Sequence, residues 1–383
     1  MQGLQLVVLS ALAVSLPAIG ATWIVNPGES IQDAVDQADP GDTIRVLPGT
    51  YREAGRPCPS PTNPRQLCGV LITKDDLRIV GARQPGQPVV LENAGTQDEG
   101  IEVALLSARG DTCLDDPSQR IQGSTLEGLT VNGFGDNGIY LFCVDHFTIR
   151  NCETHDNVEY GLFPSHSAFG SIIGNVATGS NDTGIYVGES HDVRVKHNTA
   201  HGNVSGFEIE NSTRVELDHN LAVGNTAGIL SFTLPFLDVN VNEDNSIHHN
   251  TSVLNNKDNT CTPGGDVCLV PIGTGILLVS VQRNQVRDNV ALGDNSVGIA
   301  LVDLCTVIQE PQELCVLLGI DPPNGNRIER NIALGNGQNP DVQRLPPDTP
   351  GSDLFWTGLG ENNCWSRNLS EIDVTPIPFP QCQ

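Results

Sequence analysis

Within seven residues, Tyr160-Gly-Leu-Phe-Pro-Ser-His166, the chain carries a phenol, a phenyl ring and an imidazole. An imidazole and a phenol in reach of one proton can serve as general base and general acid. His166 is therefore the candidate base and Tyr160 the candidate acid. A cation beside them would steady a carboxylate or an enolate-like intermediate, and Lys196 or Arg150, on a neighbouring strand face, could supply it. Five residues past successive glycines, Cys143, His166, Glu189 and Asn211 fall in one column, with Glu208 and Glu210 close by. Two residues past the same glycines stand Tyr140, Phe163 and Tyr186, an expected outward ladder of rings. Exposed stacked rings suit the apolar faces of sugars, and an exposed apolar patch usually has a use. The alternative is a loop, around Cys113 or Cys261, lying over them. Spacing places no metal site: His248 and His249 lack a third ligand, and the remaining histidines fall scattered at turns.

Those residues need a scaffold, and a repeat supplies it. Segments opening with glycine and an apolar residue recur at Gly138, Gly161, Gly184, Gly206, Gly228, Gly275 and Gly298. All the intervals are 22 or 23 residues except one of 47, which fits two coils, one swollen by the Cys261–Cys268 loop. Asparagines keep phase with the glycines: Asn175, Asn198, Asn220 and Asn289, then Asn181, Asn203, Asn225 and Asn295. A unit of about 22 residues holds two or three short strands and cannot bury a core alone; stacked units share one. Alternation along each strand sends Ile139, Leu162, Ile185, Phe207, Ile229, Ile276 and Ile299 inward. Glycine at each corner permits backbone angles that other residues resist, and turn asparagines can stack in ladders. The expected fold is all-β, a single-stranded right-handed parallel β-helix with a short N-terminal capping helix and an irregular C-terminal cap.

The ends and the bulk composition agree. Ser30-IQDAVDQAD predicts a capping helix, with Ser30 and Asp33 as a capping box, and the strand within 42–51 is expected to start the stack. Residues 1–21 are expected to be a cleaved secretory signal, 22–340 the β-helix with its cap, and 341–383 a capping tail. No other segment is apolar enough to span a membrane. Eleven cysteines suit an oxidising compartment. Cys58 with Cys68, Cys261 with Cys268, Cys305 with Cys315 and Cys364 with Cys382 are close enough to staple loops. Either Cys143 pairs Cys152, or Cys113 takes one of them and another is left over. Forty glycines, 25 prolines and 4% aromatics suit short strands and turns. The net charge of −26 repels nucleic acid and anionic lipid. It serves solubility, or it admits calcium as a bridge to an anionic substrate.

The opening Ser30-IQDAVDQADPGDTIRVLPGTY51 and the GIY…N…N coils resemble right-handed β-helix proteins of the pectin-lyase-like superfamily. Among these the chain is most similar to secreted β-helix proteins related to mannuronan C5-epimerases, and to periplasmic β-helix maturation factors. Epimerases and some lyases of this group carry a Tyr-Gly-x-Asp-Pro-His motif on an outer face, where an acid and a base work on the sugar C5 proton. Tyr160, Gly161 and Pro164 match it. Phe163 stands at the aspartate position and Ser165 at the histidine position, with His166 one residue late, so an activity needing that carboxylate must recruit another. The chain is expected to be a secreted or periplasmic monomer, and the resemblance implies that it takes a polysaccharide, acidic polymers included. It leaves two function classes: a polyuronate lyase or C5-epimerase, and a non-catalytic glycan-binding or envelope scaffold.

Overall fold

The computed structural model describes residues 20–59, 63, 65–346 and 349–383. The expected signal peptide therefore lies almost wholly outside the described residues. Among these, three sheets of 12, 10 and 12 strands run the length of the molecule, parallel throughout except for one antiparallel pair, Arg56–Pro57 with Leu67–Ile72, at the end of the third. The chain visits them in turn, so each coil crosses the first, second and third sheet once.

The inward file holds throughout. Ile139 pairs Leu162, Leu162 pairs Ile185, and Phe207, Ile229, Ile276 and Ile299 follow in register; all are at most 1% exposed. The file extends beyond the repeat seen in sequence, through Val70 and Ile101 at one end and Leu354 at the other. Shifting any one of these strands by a residue would turn its apolar set outward, so burial sets the register.

Several expectations change. The 47-residue interval is one coil and not two, because Ala227–Phe232 pairs directly with Thr274–Val279. The surplus goes into two insertions, around 233–243 and 256–272, where the intervening residues belong to no strand. The corner glycines are required for space, not for unusual angles. A Cβ on Gly161 would lie 2.4 Å from the Gly184 carbonyl oxygen, and one on Gly206 would lie 2.6 Å from that of Gly228, both at ordinary φ. The left-handed corners fall instead to non-glycine residues: Cys143, His166, Glu189 and Asn211 all have φ between 42° and 58°. The stack begins at Thr22–Val25, which pairs Thr43–Val46, so the capping helix Ile31–Gln37 sits between the first two coils. Ser30 Oγ accepts from Asp33 N as expected. Glu53, not Asp33, closes the cap, accepting from Ser30 Oγ and Ile31 N.

The segment from 341 onward continues the stack before covering it. Ser352–Trp356 extends the third sheet and Cys364–Ser366 the first. Phe379 then packs on buried Trp356 and Trp365, and the Cys364–Cys382 disulfide holds it there. The other disulfides are Cys58–Cys68, Cys113–Cys143, Cys261–Cys268 and Cys305–Cys315, which leaves Cys152 buried and unpaired. No helix among the described residues is long and apolar enough to cross a membrane.

Candidate functional site

The outward column of the third sheet runs Glu102, Tyr140, Phe163, then Tyr186, Glu208 and Leu230. Side chains on one face of adjacent strands stand close enough to touch. Tyr140 and Phe163 stack at 4.9 Å between centroids, and Phe163 meets Tyr186 edge-on at 4.6 Å. Tyr160 joins them from the preceding turn, 4.6 Å from Phe163 and 4.8 Å from Tyr186. Tyr140, Phe163 and Tyr160 are half-buried and Tyr186 is buried. A Cβ on Gly188 would lie 2.4 Å from Tyr186 Cε1, so glycine there makes room for the tyrosine to lie along the sheet.

One loop packs against this ring cluster, and further segments cover the same sheet beyond it. On one side the segment with helix Gly110–Asp115 packs Cys113, Ala104 and Ala108 against Phe142 and Tyr140. The Cys113–Cys143 disulfide and an Arg120–Asp145 ion pair tie it to the coils. On the other side Val267 and Val270, with the helices Leu304–Val307 and Gln312–Leu318, cover the apolar patch of Leu230, Leu277 and Ala300. Between these covers the rings stay partly open.

Carboxyls line the same strip. Burial pushes Glu102 up to about 9, with the Asp136 charge adding to it. Burial also raises Glu210 to about 8, with Asp266 adding, and Glu208 to about 7. Glu159 rises to about 7 through burial and its neighbour Asp136. Such groups hold protons near neutral pH and can donate hydrogen bonds or protons. Glu102 Oε1 and Glu208 Oε1, one at each end of the ring run, are buried without a hydrogen-bond partner.

The expected catalytic set is not gathered in one place. His166 sits at the corner after the third sheet, 5% exposed, with its ring edge-on to Phe142. Its Nδ1 faces Ser165 Oγ at 2.8 Å. Its Nε2 faces Asp238 Oδ2 at 3.1 Å and Glu189 Oε2 at 3.3 Å, so both ring nitrogens are engaged. Tyr160 contacts rings, and burial, then Asp182 and Glu208, raise its hydroxyl well above the usual range. Lys196 and Arg150 belong to the first sheet and are neutralised there, Lys196 by Asp218 at 2.8 Å and Arg150 by Glu127 at 2.6 Å. Arg109, exposed beside Gly110, has no carboxylate partner among the described residues and donates from Nη1 to the Ala108 carbonyl at 2.6 Å. Sequence spacing missed Asp238 and Arg109 because both sit on insertions that carry no repeat phase. The histidines expected to be scattered partly form a column instead: His197, His219 and His249 follow one another with centroids 5.3 and 4.9 Å apart.

The comparisons with known proteins agree on architecture. A family model described as a right handed beta helix region matches residues 113–243, and the chain is a right-handed parallel β-helix. Among solved structures it is similar to Geobacillus virus E2 ORF18, with a TM-score of 0.55 at 14% identity. That match covers 91% of this chain and 62% of the viral one. It is also similar to two Azotobacter vinelandii modules. The mannuronan C-5 epimerase AlgE4 A-module gives 0.54 at 16% identity, covering 92% of this chain and 94% of that one. The AlgE6 A-module gives 0.52 at 14%, covering 91% of each. At such identities the likeness establishes the fold alone. No curated protein matches the chain.

Proposed function

We propose that this is a secreted carbohydrate-active β-helix protein that lays an acidic polysaccharide along the outer face of its third sheet, as a polyuronate lyase or C5-epimerase does. The observation that carries the reading is the cluster of Tyr140, Phe163, Tyr186 and Tyr160, half-open between covered stretches of the sheet and flanked by carboxyls raised toward neutrality. Ring faces take sugar faces, and protonated carboxyls bond hydroxyls without repelling a uronate. Arg109, exposed and without a carboxylate partner among the described residues, offers a cation to a uronate carboxylate. Glu208 and Glu210 hold protons near neutral pH and are suited to acid–base work on the sugar. The five disulfides fit an oxidising compartment, and two of the similar structures are mannuronan C-5 epimerase modules.

The test is incubation of the full chain with alginate and with pectate, with and without added divalent cation. Unsaturated-uronate absorbance reads lyase action and NMR reads C5 configuration. A signal in either channel is expected. With no product in either channel and no retardation of the protein in gels containing these polymers, the reading fails.

A further inference from the structure

We infer that His166, Glu189 and Asp238 form a site for one divalent transition ion of the zinc class at the edge of the groove. One nitrogen and two carboxylate oxygens, one from each residue, lie within 4.8 Å of one another. Nε2 is 3.1 Å from the Asp238 oxygen and 3.3 Å from the Glu189 oxygen. Ligands of one tetrahedral zinc, at about 2.0–2.2 Å from the metal, stand about 3.4 Å apart. The two separations from Nε2 thus already match what a shared ion imposes, and the two carboxylate oxygens lie within 4.8 Å of each other. An imidazole with two carboxylates suits a borderline ion such as zinc, whereas calcium prefers six or more oxygens.

The surroundings orient each donor. Ser165 Oγ, at 2.8 Å, holds His166 Nδ1 and leaves Nε2 to face the carboxylates, the outer-shell arrangement common to metal-bound imidazoles. Glu189 uses Oε1 to accept from Val239 N at 3.0 Å, which frees Oε2 for the site. Asp238 arrives on the inserted loop, which Asn211 grips by donating to the Leu234 and Val239 carbonyls at 2.8 and 2.5 Å. Over the donors stands Gly110. A Cβ there would lie 2.2 Å from Asp238 Oδ2 and 2.5 Å from His166 Nε2. Gly110 therefore packs its backbone close against the donors, where no larger residue would fit. A cleft of about 100 Å³, lined by His166, Glu189, His191, Asp145 and Arg120, opens onto two of the three donors. The other grouping of suitable atoms, Cys58, Cys68 and Glu102, has both sulfurs in a disulfide.

An ion here clips the 233–243 loop to the groove wall and places positive charge beside a strip lined by carboxyls. That role rests on the carbohydrate reading; the site does not. The test uses the full chain, stripped with a chelator and titrated with zinc chloride against a chromophoric competitor, with no saccharide present. One equivalent is expected to bind. His166→Ala and Asp238→Asn should each weaken it at least 10-fold, and His219→Ala, in the separate histidine column, should leave it unchanged. Asp238 is half-exposed on a loop, so Asp238→Asn is expected to fold, with circular dichroism as the check. Calcium should bind at least 10-fold more weakly than zinc. Absence of stoichiometric uptake, or undiminished uptake by both site variants, overturns the site. Calcium binding as tightly as zinc overturns the ligand class. Because uptake is read without sugar, its failure and a failure of glycan recognition are separate results.

Discussion

Asn220→Ala is expected to destabilise the protein by about 4–6 kcal/mol, enough to remove much of a typical domain's stability. Asn220 is 3% exposed and sits mid-ladder. Its Nδ2 donates to the Val195 carbonyl at 2.9 Å and to Asn250 Oδ1 at 3.0 Å. Its Oδ1 accepts from Asn198 N at 2.9 Å and from Asn198 Nδ2 at 3.0 Å. Truncation leaves a buried carbonyl and two buried N–H groups unpaired, each costing about 1–3 kcal/mol, besides a small cavity. The same bonds repeat from Asn175 through Asn198, Asn250, Asn289 and Asn331 to Asn368. Denaturant unfolding checks the prediction. Loss of less than about 1 kcal/mol would mean that the ladder is decoration and the apolar file alone holds the coils.

Stability is also expected to be greatest near pH 5 and to fall on the alkaline side, with a melting temperature several degrees lower at pH 8. Burial raises Glu102 to about 9, Glu210 to about 8, and Glu159, Glu208 and Asp294 to about 7. An acid with a raised folded-state pKa binds protons in the folded chain that the unfolded chain has already released. Stability is then full below the unfolded value, near 4–4.5, and drains away as pH climbs through the folded values. Carboxyls held low by arginines act oppositely. Asp288, brought to about 2 chiefly by Arg330, loses its contribution only in strong acid. The charge of −26 adds self-repulsion of the same sign at high pH. Asp294 offers a clean check, because it occupies an asparagine-ladder step, accepting from Asn255 N and Nδ2 at 2.8 and 3.1 Å. Asp294→Asn should flatten the profile between pH 6 and 8. A melting temperature that is level or rising from pH 5 to pH 8 in the wild type would contradict the assignment.

How far the sequence revealed this molecule depends on what carries phase. Ile139, Leu162, Ile185 and Phe207 recur every 22 or 23 residues, so their common interior file is legible in the spacing alone. The ring column of Tyr140, Phe163 and Tyr186 is legible for the same reason. Phase errors appear where spacing bends. Asn181 and Asn295 were expected in the second ladder, yet Ser180 and Asp294 stand there, since the ladder step lies five residues past the first asparagine and not six. Insertions hide the rest. Asp238 is 72 residues from His166 in sequence, on a loop whose path only three-dimensional packing determines. Lys196 and Arg150 were grouped with His166 because alternation gives a side chain's face but not which of three sheets that face belongs to.

The proposed placement of saccharide along the third sheet is tested most directly by calorimetry with a uronate oligosaccharide. Affinity should fall at least 10-fold in Phe163→Ala, which removes the middle ring, and in Arg109→Ala, which removes the exposed cation, while Lys196→Ala on the first sheet stays at the wild-type value. Equal affinity in Phe163→Ala and wild type, or a loss confined to Lys196→Ala, would place the sugar elsewhere.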